Sequence, residues 1–204
     1  GTVVLGEELD RVAPPEPVGS VWSLLDLGDG AVLAGTGVEG RVYRIENGRA
    51  TRWAETGAVV VTSLARGEDG SIYAGTLPDG RVYRLVPPRG EQLQAPVLVA
   101  ELPDVQHVWS VAWDARRHVL LCATGPDGKL FSVDPRRPAA TAATVLFDSE
   151  EPHLYSMALR DDGEVIVGAG GGHAVVYGLG VNGRPRVIAR LGGDEVKGLA
   201  VAGE

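Results

Sequence analysis

Sulfur, cation and helix signals are what this sequence has least of. Cysteine and methionine occur once each in 204 residues. With Cys122 alone, no internal disulfide can form and no Cys-x-x-Cys pair exists for metal or redox chemistry. Lys and Arg total 19 against 27 acidic residues, a net charge of −8. A surface of that sign repels phosphate backbones and anionic headgroups, which excludes nucleic acid as the main partner. No run approaches the roughly 20 apolar residues of a spanning helix, so membrane insertion by that route is excluded. No segment carries the apolar spacing of an amphipathic helix. What remains is turn-rich: 29 Gly and 13 Pro beside a 44% hydrophobic fraction, a balance that excludes disorder and points to an all-β chain.

The glycines are periodic. VWSLLDLGDGAVLAGTGVEGRVYRI (21–45), VTSLARGEDGSIYAGTLPDGRVYRL (61–85), VWSVAWDARRHVLLCATGPDGKLFSV (108–133) and LYSMALRDDGEVIVGAGGGHAVVYGL (154–179) repeat one pattern. VKGLAVAGE (196–204) begins a fifth copy. Ser23, Ser63, Ser110, Ser156 and Gly198 are spaced by 40, 47, 46 and 42 residues. Repeats of this length holding several short strands read as blades of a β-propeller. The expected blades are 21–60, 61–107, 108–153 and 154–195. Residues 1–20 are expected to supply outer strand and connector, and 196–204 an inner strand. Four complete blades with partial blades at both ends imply a segment of a larger ring.

In the second copy, Val61, Ser63 and Ala65 alternate with Thr62 and Leu64, the period of an innermost strand. Asp69-Gly70 predicts a two-residue turn with positive φ at both centres; Arg116-Arg117-His118 predicts a different turn in the third copy. Gly75 suits close approach of an adjacent blade. Pro78-Asp79-Gly80, Val38-Glu39-Gly40 and Pro126-Asp127-Gly128 predict tight second turns. Outer strands are expected at 50–55, 95–102, 144–149 and 186–191. Cys122, aligned with Ala34, Ala74 and Gly168, reads as a packing residue.

The set Ser63, Asp69, Gly70, Gly75, Thr76, Gly80 and Tyr83, with Tyr73 where Trp is usual, resembles two-component-regulator-type propeller repeats. More loosely it is similar to NHL and gluconolactonase-type propellers through the D-G-x-x-Y element. WD repeats and sialidase boxes do not fit; Trp113-Asp114 falls at the wrong place. The resemblance implies the fold, ligand sensing or protein docking, and a periplasmic or extracellular location.

In a repeat chain, residues shared by all copies are scaffold and copy-specific ones are candidates for function. The most variable position precedes the aligned Ser/Gly and holds Trp22, Thr62, Trp109, Tyr155 and Lys197. Two residues earlier stand Ser20, Val60, His107, His153 and Glu195. Trp22, His107, Trp109, His153, Tyr155 and Lys197 are therefore expected at the channel mouth, as a ligand pocket or as fillers of wedge-shaped gaps. Thr36, Glu39, Thr76, Asp79, Thr124, Asp127 and His173 are expected to rim it.

His107 and His153 read as hydrogen-bonding side chains before a metal pair, and the acidic-Gly turns as turn chemistry before calcium sites. GAGGGH (168–173) lacks a following helix and reads as a flexible turn rather than a phosphate loop. No catalytic constellation and no cofactor motif is recognised. The leading expectation is a non-catalytic module that binds a protein or small-molecule ligand. The alternative is a metal-dependent lactonase or hydrolase-type propeller with its site in the channel. An unpaired blade edge also offers a route to self-association.

Overall fold

The computed structural model describes residues 12–201. Much of the outer strand expected within 1–20 lies outside that range, and 12–19 contain no strand. From Ser20 onward the described residues form sixteen strands and a single 3-10 turn at Ala139–Thr141.

The strands fall in fours. The first blade is β1 (Ser20–Asp26), β2 (Val32–Gly37), β3 (Arg41–Glu46) and β4 (Arg49–Glu55). The second is β5 (Val60–Arg66), β6 (Ile72–Leu77), β7 (Arg81–Leu85) and β8 (Val97–Glu101). The third is β9 (His107–Asp114), β10 (Val119–Gly125), β11 (Lys129–Val133) and β12 (Ala143–Asp148). The fourth is β13 (His153–Leu159), β14 (Val165–Gly170), β15 (Val175–Leu179) and β16 (Pro185–Arg190). Within each, successive strands pair antiparallel, and one bridge, Gly37 to Val60, joins the first two blades into a continuous sheet. These four-stranded antiparallel sheets are propeller blades, and the fold is an all-β propeller.

Apolar faces of neighbouring blades supply the core. Leu33 and Val42 of the first meet Ile72 and Ala74 of the second, and Tyr73 and Val82 meet Leu120 and Cys122 of the third. Leu121 and Leu130 meet Val165 and Val167 of the fourth. Each such aliphatic side chain, fully buried, contributes about 1.5–3 kcal/mol.

Glycine permits the tightest of these approaches: a Cβ on Gly75 would lie 2.7 Å from Val108 Cγ1 and 3.0 Å from Val111 Cγ1. The aligned serines do more than stay small. Ser23 Oγ donates to Val61 O (3.4 Å), Ser63 Oγ accepts from Val111 N (3.0 Å), and Ser156 Oγ donates to Val196 O (2.8 Å). The last bond, with Val196 in the core and Glu195 bridged to Gly170, seats the described part of the fifth copy beside blade four without a strand of its own.

Three expectations are corrected. The Asp-Gly loops are not two-residue turns, since only the glycine has positive φ. In the second blade Gly70 N donates to Gly67 O, and Asp69 Oδ1 accepts from Ser71 N (2.9 Å). The aspartate side chain thus closes a longer loop that its dipeptide does not reveal. In the third blade His118 adopts the left-handed conformation and Asp114 Oδ1 takes the N–H groups of Arg116 and Arg117. The registers also align Cys122 with Val167 rather than Gly168, for Cys122 pairs with Val111 and Val167 with Met157.

The third correction matters most: the inner strands do not alternate throughout. Val21 pairs with Thr36 and Ser23 with Gly35, leaving Trp22 without a partner. Thr62, Trp109 and Tyr155 are skipped in the same way. Each blade therefore carries a β-bulge one residue before its aligned serine, and a bulge bends the strand and re-aims the extra side chain.

Candidate functional site

The bulged residue of the third blade and that of the fourth lie together, 5.3 Å between the ring centroids of Trp109 and Tyr155. Strand starts complete the group: His107 is 4.8 Å from Trp109 and 5.9 Å from His153, and His153 stacks on Tyr155 at 5.1 Å. Lys197 caps it with its ammonium 3.9 Å over the Tyr155 ring, a cation–π contact, and also pairs with Glu195 at 2.8 Å. Tyr155 Oη donates to the same carboxylate at 2.8 Å. Five of the six expected site residues thus form one connected surface, half-buried at the rings and exposed at Lys197.

Trp22 does not join them. It packs over Gly37 at the equivalent place in blade one, its Nε1 donating to Ser20 Oγ (2.8 Å). Between Trp22 and Trp109 stands Thr62, whose hydroxyl is buried against Gly75 O and Val108 O.

The expected rim residues have structural duties. Thr36, Thr76 and Thr124 are buried, and each donates to the carbonyl five residues on, closing its turn at 2.8–3.0 Å. Glu39, Asp79 and Asp127 each pair with the cation two residues later, Arg41, Arg81 and Lys129. His173 is held by Glu151, which accepts from Gly172 N (3.1 Å) and His173 N (2.7 Å) and lies 3.3 Å from His173 Nδ1. Buried Glu151 therefore pins the glycine turn (171–173), and no sequence pattern marks it because its partners are backbone N–H groups 21 and 22 residues away.

The electrostatics are those of a neutral imidazole pair. Burial pushes the His107 and His153 rings below the usual histidine range, and the nearby His107 lowers His153 further. Trp109 Nε1 donates to His153 Nδ1 at 3.1 Å. An indole nitrogen only donates, so Nδ1 carries the lone pair and Nε2 carries the proton. Nε2–H is then a donor rather than a metal ligand. The Tyr155 hydroxyl is pushed up to about 12, first by burial and then by Glu195, so it stays neutral. Lys197 and Tyr155 hold the Glu195 carboxyl below its usual range. His107 Nδ1 is buried without a hydrogen-bond partner.

Backbone shape contributes as well. Gly125, at the end of β10, lies against Trp109 Nε1 and His153 Nδ1, where any side chain would collide with both rings. Cys122 is buried, and desolvation pushes its thiol up to about 12, which disfavours the thiolate. Among the described residues no three His, Cys, Asp or Glu side chains converge as metal ligands, and no helix is long and apolar enough to cross a membrane.

The chain is similar in structure to several propeller proteins. In a nidogen/laminin complex it matches with a TM-score of 0.63 at 15% identity, covering 79% of this chain and 63% of that one. For virginiamycin B lyase from Staphylococcus aureus, solved with quinupristin, the values are 0.63, 13%, 85% and 56%. For the PQQ-bound aldose sugar dehydrogenase from Streptomyces coelicolor they are 0.58, 19%, 82% and 65%. The chain thus spans roughly half to two-thirds of the length of these propellers. Enzymes and a protein-complex component stand side by side among them, so the likeness establishes the fold alone. No protein-family model and no curated protein sequence matches the chain.

Proposed function

We propose that this chain is a non-catalytic binding module whose site is the surface made by His107, Trp109, His153, Tyr155 and Lys197. One observation carries the reading. The side chains that differ most between copies are the bulged residues, and in blades three and four these are large aromatics in mutual contact. The surface has the composition of a recognition site: aromatic walls, a fixed imidazole donor at His153 Nε2 and one cation. A metal-dependent hydrolase is disfavoured by donor chemistry, since the indole of Trp109 holds His153 in the tautomer protonated at Nε2.

A fragment screen read by NMR tests the proposal. Small aromatic and carbonyl-bearing fragments are expected to shift the Trp109 indole N–H together with the His153 ring signals. Trp109→Ala with Tyr155→Ala should remove those responses and leave the blades folded, and Trp22→Ala should leave them unchanged. Fragment shifts that survive the double substitution would overturn the assignment.

A further inference from the structure

At the other end of the inner strands, around the Asp69-Gly70 loop, two clefts of about 480 and 390 Å³ share Arg84 and Asp69 in their walls. The first runs between blades one and two over Trp53, and the second between blades two and three over Tyr73 and Trp113. Arg84 is the repeat equivalent of Arg44, and the two differ in their partners. Arg44 lies 3.2 Å from Asp29 Oδ2 and 3.3 Å from Glu46 Oε2. In blade two the position of Glu46 is Val86, and both oxygens of Asp69 are taken at 2.9 Å by Ser71, one by its N–H and one by its hydroxyl. Among the described residues Arg84 has neither a hydrogen bond nor an ion pair.

The neighbouring charged groups are engaged. Arg136 pairs with Asp134 at 2.8 Å, His118 with Glu68 at 2.8 Å, and Arg66 donates to Leu27 O at 2.6 Å. Tyr73 and Trp113 stack with planes 3° apart and centroids 6.0 Å apart, and the buried indole N–H of Trp113 has no acceptor. Among the described residues the unpartnered polar groups of this groove are the donors of Arg84 and Trp113, and Tyr73 and Trp113 form part of its wall.

We propose that this groove is a second binding site, separate from the mouth, for a small monoanion that carries a carboxylate on an aromatic body. The guanidinium of Arg84 takes the carboxylate by its planar fork, and the ring lies against the Tyr73–Trp113 face. The replacement of Glu46 by Val86, together with the occupation of Asp69 by Ser71, leaves the guanidinium available.

Phenylacetate is the probe, followed through the Arg84 Nε–H and Trp113 indole N–H resonances. Saturable shifts of both are expected. Acetate, with charge and no ring, and 2-phenylethanol, with ring and no charge, should give none that saturate. Arg84→Gln should abolish the phenylacetate shift with an unchanged unfolding midpoint, because Arg84 is exposed and makes no hydrogen bond or ion pair among the described residues. Val86→Glu rebuilds the pair that Arg44 makes and should abolish the shift with the arginine still present. Absence of a saturable shift in the wild-type chain, or an equal shift in Arg84→Gln, would overturn the proposal.

Discussion

Blades one and two and blades three and four use the same bulge to opposite ends. In the first pair the bulged residues are Trp22, which folds back on Ser20, and Thr62, which buries its hydroxyl in backbone. In the second they are Trp109 and Tyr155, which touch each other and gather His107, His153 and Lys197. The aligned serine and the bulge before it are common to all four blades, so the bulge itself does not cause the difference. A repeat of this kind offers one re-aimed side chain per blade, and a cluster forms where consecutive copies place groups that attract one another.

The largest effect is expected from the support beneath the second pair. Glu151→Ala strips the acceptor from Gly172 N, His173 N and the His173 ring. Gly172 and His173 are exposed, so the loss is that of hydrogen bonds to a charged acceptor, about 1.5–3 kcal/mol, measurable as a lower urea midpoint at unchanged slope. Next comes a matched pair of glycine substitutions. Gly125→Ala drives a methyl into Trp109 and His153 and should destabilise by about 1–3 kcal/mol with loss of the ring-current shifts of the cluster. Gly37→Ala meets Ser20 and the half-exposed Trp22, which can swing into solvent, so its cost should be the smaller of the two.

The next effect is pH-dependent. His107 and His153 have folded values below their unfolded ones. The unfolded chain therefore binds protons more readily, and the stability these two residues confer is complete above about pH 6.5 and lost as pH falls through their folded values. Protonating His153 also forbids the bond from Trp109, since two donors would then face each other. Acidification should change Trp109 emission in that window and leave Trp22 emission flat, read in single-tryptophan variants. The smallest effect belongs to Trp109→Phe: it keeps a ring but removes the N–H that favours neutral imidazole, so the His153 titration should move upward in an NMR series.

Strands, glycine approaches and outer edges were legible because each is written locally: alternation, Asp-Gly and the spacing of Ser63 from Gly75. The offset of Trp22, Trp109 and Tyr155 from an aligned serine was legible from the contrast between copies, and the structure brings the last two into contact. The bulge was not, because an extra residue in a strand changes the register and not the composition. Nor was the separation of Trp22 from the rest, which depends on Thr62 turning inward to Gly75 O. Glu151 escaped notice because its partners are backbone N–H groups on a distant turn. The freedom of Arg84 was half written, in the change from Glu46 to Val86; the other half, Ser71 occupying Asp69, is a matter of geometry.

The nitrogen spectrum of the histidine rings tests the central claim most directly. At neutral pH the two-bond nitrogen–proton correlations of His153 should report a bare Nδ1 that accepts from the Trp109 indole and a protonated Nε2. A His153 protonated at Nδ1, or one insensitive to Trp109→Phe, would mean that blades three and four do not share a site.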